Sequence, residues 1–230
     1  AYLFAKYALE DASRVLEVGC GPGVLTGELH GQTSARIHGL DIQLAAINLA
    51  RQEDRWGSYT CGDAFYLPYA DQSFDLVFCH YLLLWLKQPV QGLIEMKRVV
   101  RTGRPVLALA EPDYGGRMDY PPELERIGDL QIRSLRSQGA DPEIGRKLSG
   151  LFHQVGLSEI HTGVMGGEWS DRISEAELQA EWKITAEDLR GSLSLEDLQR
   201  LHRDEIAAAE SGERTLFIPT FYASGIKISP

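Results

Sequence analysis

Val15-Leu16-Glu17-Val18-Gly19-Cys20-Gly21-Pro22-Gly23 runs from an apolar stretch into a cluster of glycines, and a helical pattern, Val24 to His30, follows. A short apolar run of this kind reads as a parallel strand buried on both faces. The glycines let the chain turn sharply and bring its backbone close to a ligand. Their spacing narrows the ligand. They stand at 19, 21 and 23, whereas the phosphate-binding pattern G-x-G-x-x-G would need glycine at position 24, which is Val24. Glu17, two residues before the first glycine, would set a negative charge against a pyrophosphate. It suits a cationic or neutral ligand better.

The alternation continues outward from this turn. Ala35 to Leu40 reads as a strand, Gln43 to Arg51 as a helix, Ser58 to Cys61 and Phe74 to Cys79 as strands, Val90 to Val100 as a helix, and Pro105 to Ala110 as a strand. Strands alternating with helices make a doubly wound α/β sheet. After Pro112 the rhythm changes. Pro121 to Arg136 and Pro142 to Gln154 read as helices, Ser158 to Val164 as a strand, Ser170 to Glu210 as a polar helical stretch, and Leu216 to Ala223 as a last strand containing Pro219. The first ten residues read as a helix. The chain is expected to be one domain over 1–230, with helical insertions at about 113–141 and 170–212 packing together as a cap.

The formal net charge of −10 opposes tight binding to polyphosphate, so nucleic acid is not an expected partner. No apolar run is long enough to span a bilayer, and nothing at the start has the pattern of a signal peptide. Cys20, Cys61 and Cys79 are sparse, odd in number and without C-x-x-C spacing, which argues against disulfides or a metal site and for a cytoplasmic setting. A monomer or a homodimer is expected.

Four stretches in order, VLEVGCGPG at 15–23, GLDI at 39–42, CGDA at 61–64 with Leu67-Pro68, and DQSFDLVFCH at 71–80, together resemble the class I S-adenosylmethionine-dependent methyltransferases, especially the small-molecule group called type 11. The likeness is good over roughly 14–112 and weak beyond. It implies a Rossmann-like, mostly parallel seven-stranded sheet with an antiparallel last strand, and S-adenosylmethionine as cofactor with S-adenosylhomocysteine as product. It also implies cofactor contacts at Glu17, Gly19, Cys20, Gly21, Asp41, Ile42, Asp63, Ala64 and the backbone near Cys79. Asp41 would take the ribose hydroxyls, Asp63 the adenine amino group and the Ala64 N–H a ring nitrogen. Each acidic residue also has a plainer reading, Asp41 as a helix cap and Asp63 as a turn. The Thr-Gly-Arg turn at 102–104 departs modestly from the family's usual pattern.

Methyl transfer from a sulfonium needs alignment above all, so no catalytic side chain is required. His80, after the fourth strand, is the candidate base or substrate contact, or else a lining residue. Glu111 and Asp113 after the fifth strand, and Trp169 and Trp182 in the second insertion, are candidate substrate contacts. The alternatives are loop hydrogen bonding for Glu111 and cap packing for the tryptophans. Trp85 reads as core, and His153 and His161 as structural or exposed. The sequence reading is thus methyl transfer to a small molecule whose acceptor atom is open. Its competitors are a non-catalytic methyltransferase-like subunit, an enzyme acting on a macromolecule, and a nicotinamide oxidoreductase, which the glycine spacing and Glu17 disfavour.

Overall fold

The computed structural model describes residue 7 and residues 12–166, 175–191 and 193–229. Its centre is β1 (Arg14–Val18), which leads through the glycine turn into α1 (Val24–His30). Then come β2 (Arg36–Asp41), α2 (Leu44–Glu53), β3 (Ser58–Cys61), β4 (Leu76–Cys79), α3 (Pro89–Val99) and β5 (Pro105–Pro112). The carboxyl half contains β6 (Met118–Tyr120), α4 (Glu125–Ser137), α5 (Leu148–Gln154), β7 (Ser158–Met165), α6 (Glu175–Asp188), α7 (Leu195–Glu210), β8 (Thr215–Phe217) and β9 (Thr220–Ile226).

Seven strands form one sheet in the order β3-β2-β1-β4-β5-β9-β7, and β9 runs antiparallel to both its neighbours. The expected sheet is therefore the observed one. Side chains alternate across it. Leu16 and Val18 join the larger core with Val77, Val106 and Met96, while Val15 packs on the other face with Leu29, Ile37 and Phe78. The chain lays β2 and β3 on one side of β1 and β4 on the other. That reversal leaves a crevice beyond the carboxyl ends of β1 and β4, where ligands bind in open α/β sheets.

The cap is a second, smaller assembly. α4, α6 and α7 meet around Leu124, Ile127, Leu189 and Leu201, with Trp182 and Leu198 packed against them. A ribbon of β6 and β8 completes it. Ser194 caps α7 by accepting the Asp197 N–H at 3.1 Å, the sort of cap that ends one helix unit and starts the next.

Four sequence expectations change. The last strand is two, because Ile218 and Pro219 leave the ladder between β8 and β9; Pro219 has no N–H to give, and its carbonyl instead accepts from Asp113 at 2.8 Å. The first insertion contains β6 as well as a helix. The helix expected from Pro142 is α5 alone, preceded by a single tight turn at Gly145–Lys147. The polar stretch from 170 is two helices, its first residues lying outside those described, as does the expected amino-terminal helix apart from Tyr7.

Candidate active site

The glycine turn is built around β2. The N–H groups of Gly19 and Cys20 both donate to the Leu40 carbonyl, at 2.7 and 3.0 Å. Gly19 has φ +77°, and a Cβ there would sit 2.7 Å from Leu82 Cδ1. A side chain is thus excluded both by backbone conformation and by Leu82. Gly21, at φ +51°, faces open space, with nothing within 4 Å of a Cβ. The turn is closed by protein at one glycine and open for a ligand at the next.

Asp41 links this turn to the end of β2. One carboxylate oxygen accepts the Gly21 N–H at 2.9 Å and the other the Gln43 N–H at 2.8 Å. Asp41 thus braces the turn ahead of α2, whose cap position is Gln43, and each carboxylate oxygen keeps a second lone pair for a ligand. Beside it Ile42 is 67% exposed, an apolar side chain left on the rim. The Gly62 N–H donates to the Asp41 carbonyl at 2.9 Å, which brings the turn after β3 alongside. There Asp63 accepts the Phe65 N–H at 2.9 Å and Ala64 is buried. Asp41, Ile42, Asp63 and Ala64 thus form one rim, with acceptors for hydroxyl and amino groups flanking an apolar surface. An adenosine fits that donor set, and the open turn at Gly21 leaves room for the rest of an S-adenosylmethionine.

Three of the expected cofactor contacts lie beneath this surface. Glu17 is 2% exposed and accepts the Thr26 hydroxyl of α1; strand alternation turns it away from the crevice, and burial raises its pKa to about 7. The Cys20 thiol fills a hollow over Gly39 beside Ile47, Ala50 and Tyr59. Cys79 is fully buried. The side chains of Glu17, Cys20 and Cys79 support the turn from below, and the contact expected near Cys79 is one of backbone.

Glu111 is also corrected. It is fully buried, and its carboxylate accepts the N–H groups of Leu82 and Leu83 at 3.0 and 2.9 Å and of Leu84 at 3.2 Å. Burial raises its pKa to about 7 against the pull of those donors. It therefore clamps the segment 80–85 rather than touching a substrate. Within that segment Tyr81 holds φ +51°, a left-handed conformation uncommon for a bulky residue. Asp113 is 4% exposed and pairs with Arg146 at 2.6 Å, away from any cavity wall. Trp182 stacks on His202, with ring centres 4.6 Å apart and planes at 6°, and so joins α6 to α7. Trp169 lies outside the described residues.

Between the sheet and the cap is a cavity of about 870 Å³. His80, Tyr81, Leu84 and Trp85 form one wall, and the ends of β5 and β9 supply Ala110, Pro112 and Thr220. The cap supplies Gln131 and Leu135 from α4, Ile184, Thr185 and Asp188 from α6, and Leu216 and Phe217 from β8. Trp85, read from sequence as core, is 45% exposed and belongs to this wall. His80 is the candidate that the structure does bring to the cavity; its ring meets Tyr81 edge-on at 4.8 Å. It is open to the cavity yet crowded by it, and the loss of solvent lowers its pKa. The cap liners were missed because no local motif marks them.

Behind the cavity lies a buried ionic lattice. Arg117 holds Asp119 through two hydrogen bonds, at 2.6 and 2.9 Å. Arg214 spans Asp119 and Glu205, at 2.9 and 3.0 Å. All four side chains are almost completely buried. Arg117 also reaches Gln131, whose amide donates to Asp188.

Residues 16–107 match the model of a family described as a methyltransferase domain. An uncharacterized methyltransferase of Schizosaccharomyces pombe is 33% identical over 63% of this chain and 56% of its own length. A demethylmenaquinone methyltransferase of Roseiflexus is 32% identical over 60% of each. The chain thus spans a little over half the length of these relatives. Among solved structures, a phosphoethanolamine N-methyltransferase of Haemonchus contortus in complex with S-adenosyl-L-methionine superposes with a TM-score of 0.67 at 14% identity, over 99% of this chain and 52% of the other. With the crevice, the open glycine turn and the acidic rim already in place, residues 16–107 match a methyltransferase domain, and the chain is similar to class I S-adenosylmethionine-dependent methyltransferases.

Proposed function

We propose that this protein methylates a small molecule enclosed between the sheet and the cap. One observation carries the reading. The segment 80–85 has one face on the cofactor turn, through Leu82 against Gly19, and the other in the cavity, through His80, Tyr81 and Trp85. A molecule in the cavity and a cofactor on the turn would therefore border the same rigid strip and could meet directly at its edge. About 870 Å³ falls in the ordinary range for small-molecule sites, about 300–1,000 Å³.

When bound, S-adenosylmethionine supplies an electrophilic methyl on a sulfonium. The chain's own residues do the rest. Asp41 and Asp63 would hold the nucleoside end, and the turn at Gly19–Gly21 would receive the methionine end. Glu111 keeps the strip rigid, so alignment is set before the acceptor arrives. His80, its pKa lowered by crowding, is placed to accept the acceptor's proton as the new bond to carbon forms.

Calorimetric titration with S-adenosylmethionine and S-adenosylhomocysteine, on the natural protein and on Asp41→Ala, tests the cofactor site. Loss of hydrogen bonds to a charged acceptor, worth about 1.5–3 kcal/mol, should weaken binding about 10- to 100-fold. Release of S-adenosylhomocysteine with small molecules, abolished or slowed in His80→Ala, tests the transfer. A protein that binds the cofactor but transfers methyl only to a protein or RNA would overturn the small-molecule reading.

A further inference from the structure

The cavity has a polarity of its own. On α6, Glu181, Thr185 and Asp188 stand four and then three residues apart, the spacing that puts side chains on one helix face, and all three line the cavity. Neither Glu181 nor Asp188 forms an ion pair with a described residue. The cationic side chain among the described liners, Arg214, already holds Asp119 and Glu205 and is 1% exposed. Arg117 is neutralised in the same way by Asp119 and reaches Asp188 only through the Gln131 amide. The lattice of two arginines and two carboxylates sums to zero, so among the described residues neither α6 carboxylate has an ion-pair partner, Asp188 having the Gln131 amide and the more distant charge of Arg117.

Aromatic rings surround them. Tyr81, Trp85 and Tyr114 share the lining with Glu181 and Asp188. The phenol of Tyr114 is pushed up chiefly by burial and then by the charge of Asp188. That of Tyr81 is pushed up chiefly by burial, with Glu181 among the nearby negative charges. Burial likewise raises the Asp188 carboxyl, against the Gln131 hydrogen bond and the charge of Arg117.

Resting on the capped-cavity reading, we infer that the molecule methylated here carries a protonated amine on an apolar or aromatic body, its nitrogen anchored by Asp188 and Glu181 among the rings of Tyr81, Trp85 and Tyr114. A cation supplies the missing counter-charge and gains from the ring faces. A carboxylate or phosphate in the same place would meet two like charges. A neutral hydroxyl would leave the carboxylates poorly compensated. Leu84, Leu135 and Ile184 take the apolar body.

The test uses probes matched in skeleton: 2-phenylethylamine, 2-phenylethanol and phenylacetate; tryptamine, tryptophol and indole-3-acetate; octylamine, octanol and octanoate. Each is titrated calorimetrically into protein saturated with S-adenosylhomocysteine. In at least one skeleton the amine should bind about tenfold tighter than the alcohol, with the carboxylate weakest. Glu181→Gln, at an exposed position, and Asp188→Asn, of the same shape, should each cut the amine-to-alcohol ratio by ~threefold or more. Affinity for the alcohol and for S-adenosylhomocysteine should stay level, which also reports that both variants fold. Equal binding of amine and alcohol, tighter binding of the carboxylate, or a ratio unmoved in both variants overturns the amine assignment and leaves the small-molecule cavity standing. Binding of S-adenosylhomocysteine with no response to any probe at millimolar concentration overturns both.

Discussion

The cofactor half and the cap solve the problem of holding a ligand in different ways. The cofactor half, from β1 to β5, works mostly with backbone: Gly19 and Cys20 hang from the Leu40 carbonyl, and Gly21 is fixed by Asp41. Its partners are one strand apart, so each piece is written in a few consecutive residues. The cap works with side chains from distant parts of the chain. Arg214 meets Asp119, 95 positions away, and Ser134 donates to the Asp188 carbonyl, 54 positions away. A backbone turn tolerates many side chains and one ligand; a side-chain lattice tolerates few substitutions and can serve many ligands. The first region carries the match to a methyltransferase domain, and the second supplies much of the cavity wall.

The largest break in this comparison comes from Arg214→Met. Removing one partner of a buried ionic group leaves Asp119 and Glu205 without their shared cation, at a cost of about 3–5 kcal/mol. Denaturant unfolding should record that loss, and hydrogen exchange should localise it to α7 and the β6–β8 ribbon. Cofactor affinity should change little, because Arg214 has no contact with the turn or the rim. An equal loss of affinity for S-adenosylhomocysteine would show that the two halves are not separate in energy.

What the sequence made legible follows the same division. Glycine spacing, strand length and acidic residues at strand ends are local, so the order of elements through β5 could be read directly, while the rim at Asp41, Ile42, Asp63 and Ala64 came from the family resemblance. The faces of side chains were harder. Glu17 was placed with the ligand because of its charge, yet period-two alternation along β1 sets it with Val15, opposite Leu16 and Val18. Glu111 had an even choice, and the deciding donors, the N–H groups of Leu82, Leu83 and Leu84, come from a loop 27–29 residues earlier. In the cap, Gln131, Asp188 and Arg214 carry no motif, and only the folded chain assembles them. β6 and β8 have three residues each, too few for a period to register.

The next effect tests support from beneath the turn. Glu17 has its folded pKa raised from 4.5 to about 7 by burial. A carboxyl of this kind favours the folded state most below its unfolded pKa, and that contribution is lost as pH rises through about 7. A shift of this size corresponds to ~3 kcal/mol. Glu17→Gln keeps an acceptor for the Thr26 hydroxyl and has no proton to lose. Its unfolding free energy should therefore fall less than that of the natural protein between about pH 4.5 and 7. Identical pH profiles would mean that Glu17 remains ionised under the turn and is compensated there.

The smallest effect separates two tryptophans, Trp182, expected as a substrate contact, and Trp85, expected as core. Trp182 stacks on His202 between α6 and α7, and an aromatic pair contributes about 0.5–1.5 kcal/mol beyond its buried area. Trp182→Leu should lower stability by ~1 kcal/mol or somewhat more and leave acceptor KM near its natural value. Trp85 is half-exposed on the cavity wall, so Trp85→Leu should do the reverse, with little change in unfolding and a several-fold rise in acceptor KM. Steady-state kinetics and denaturant unfolding on the two variants give four numbers. If Trp182→Leu moved KM as much as Trp85→Leu, cap packing would itself shape the cavity, and acceptor choice would depend on how α6 rests on α7 as well as on the residues in the wall.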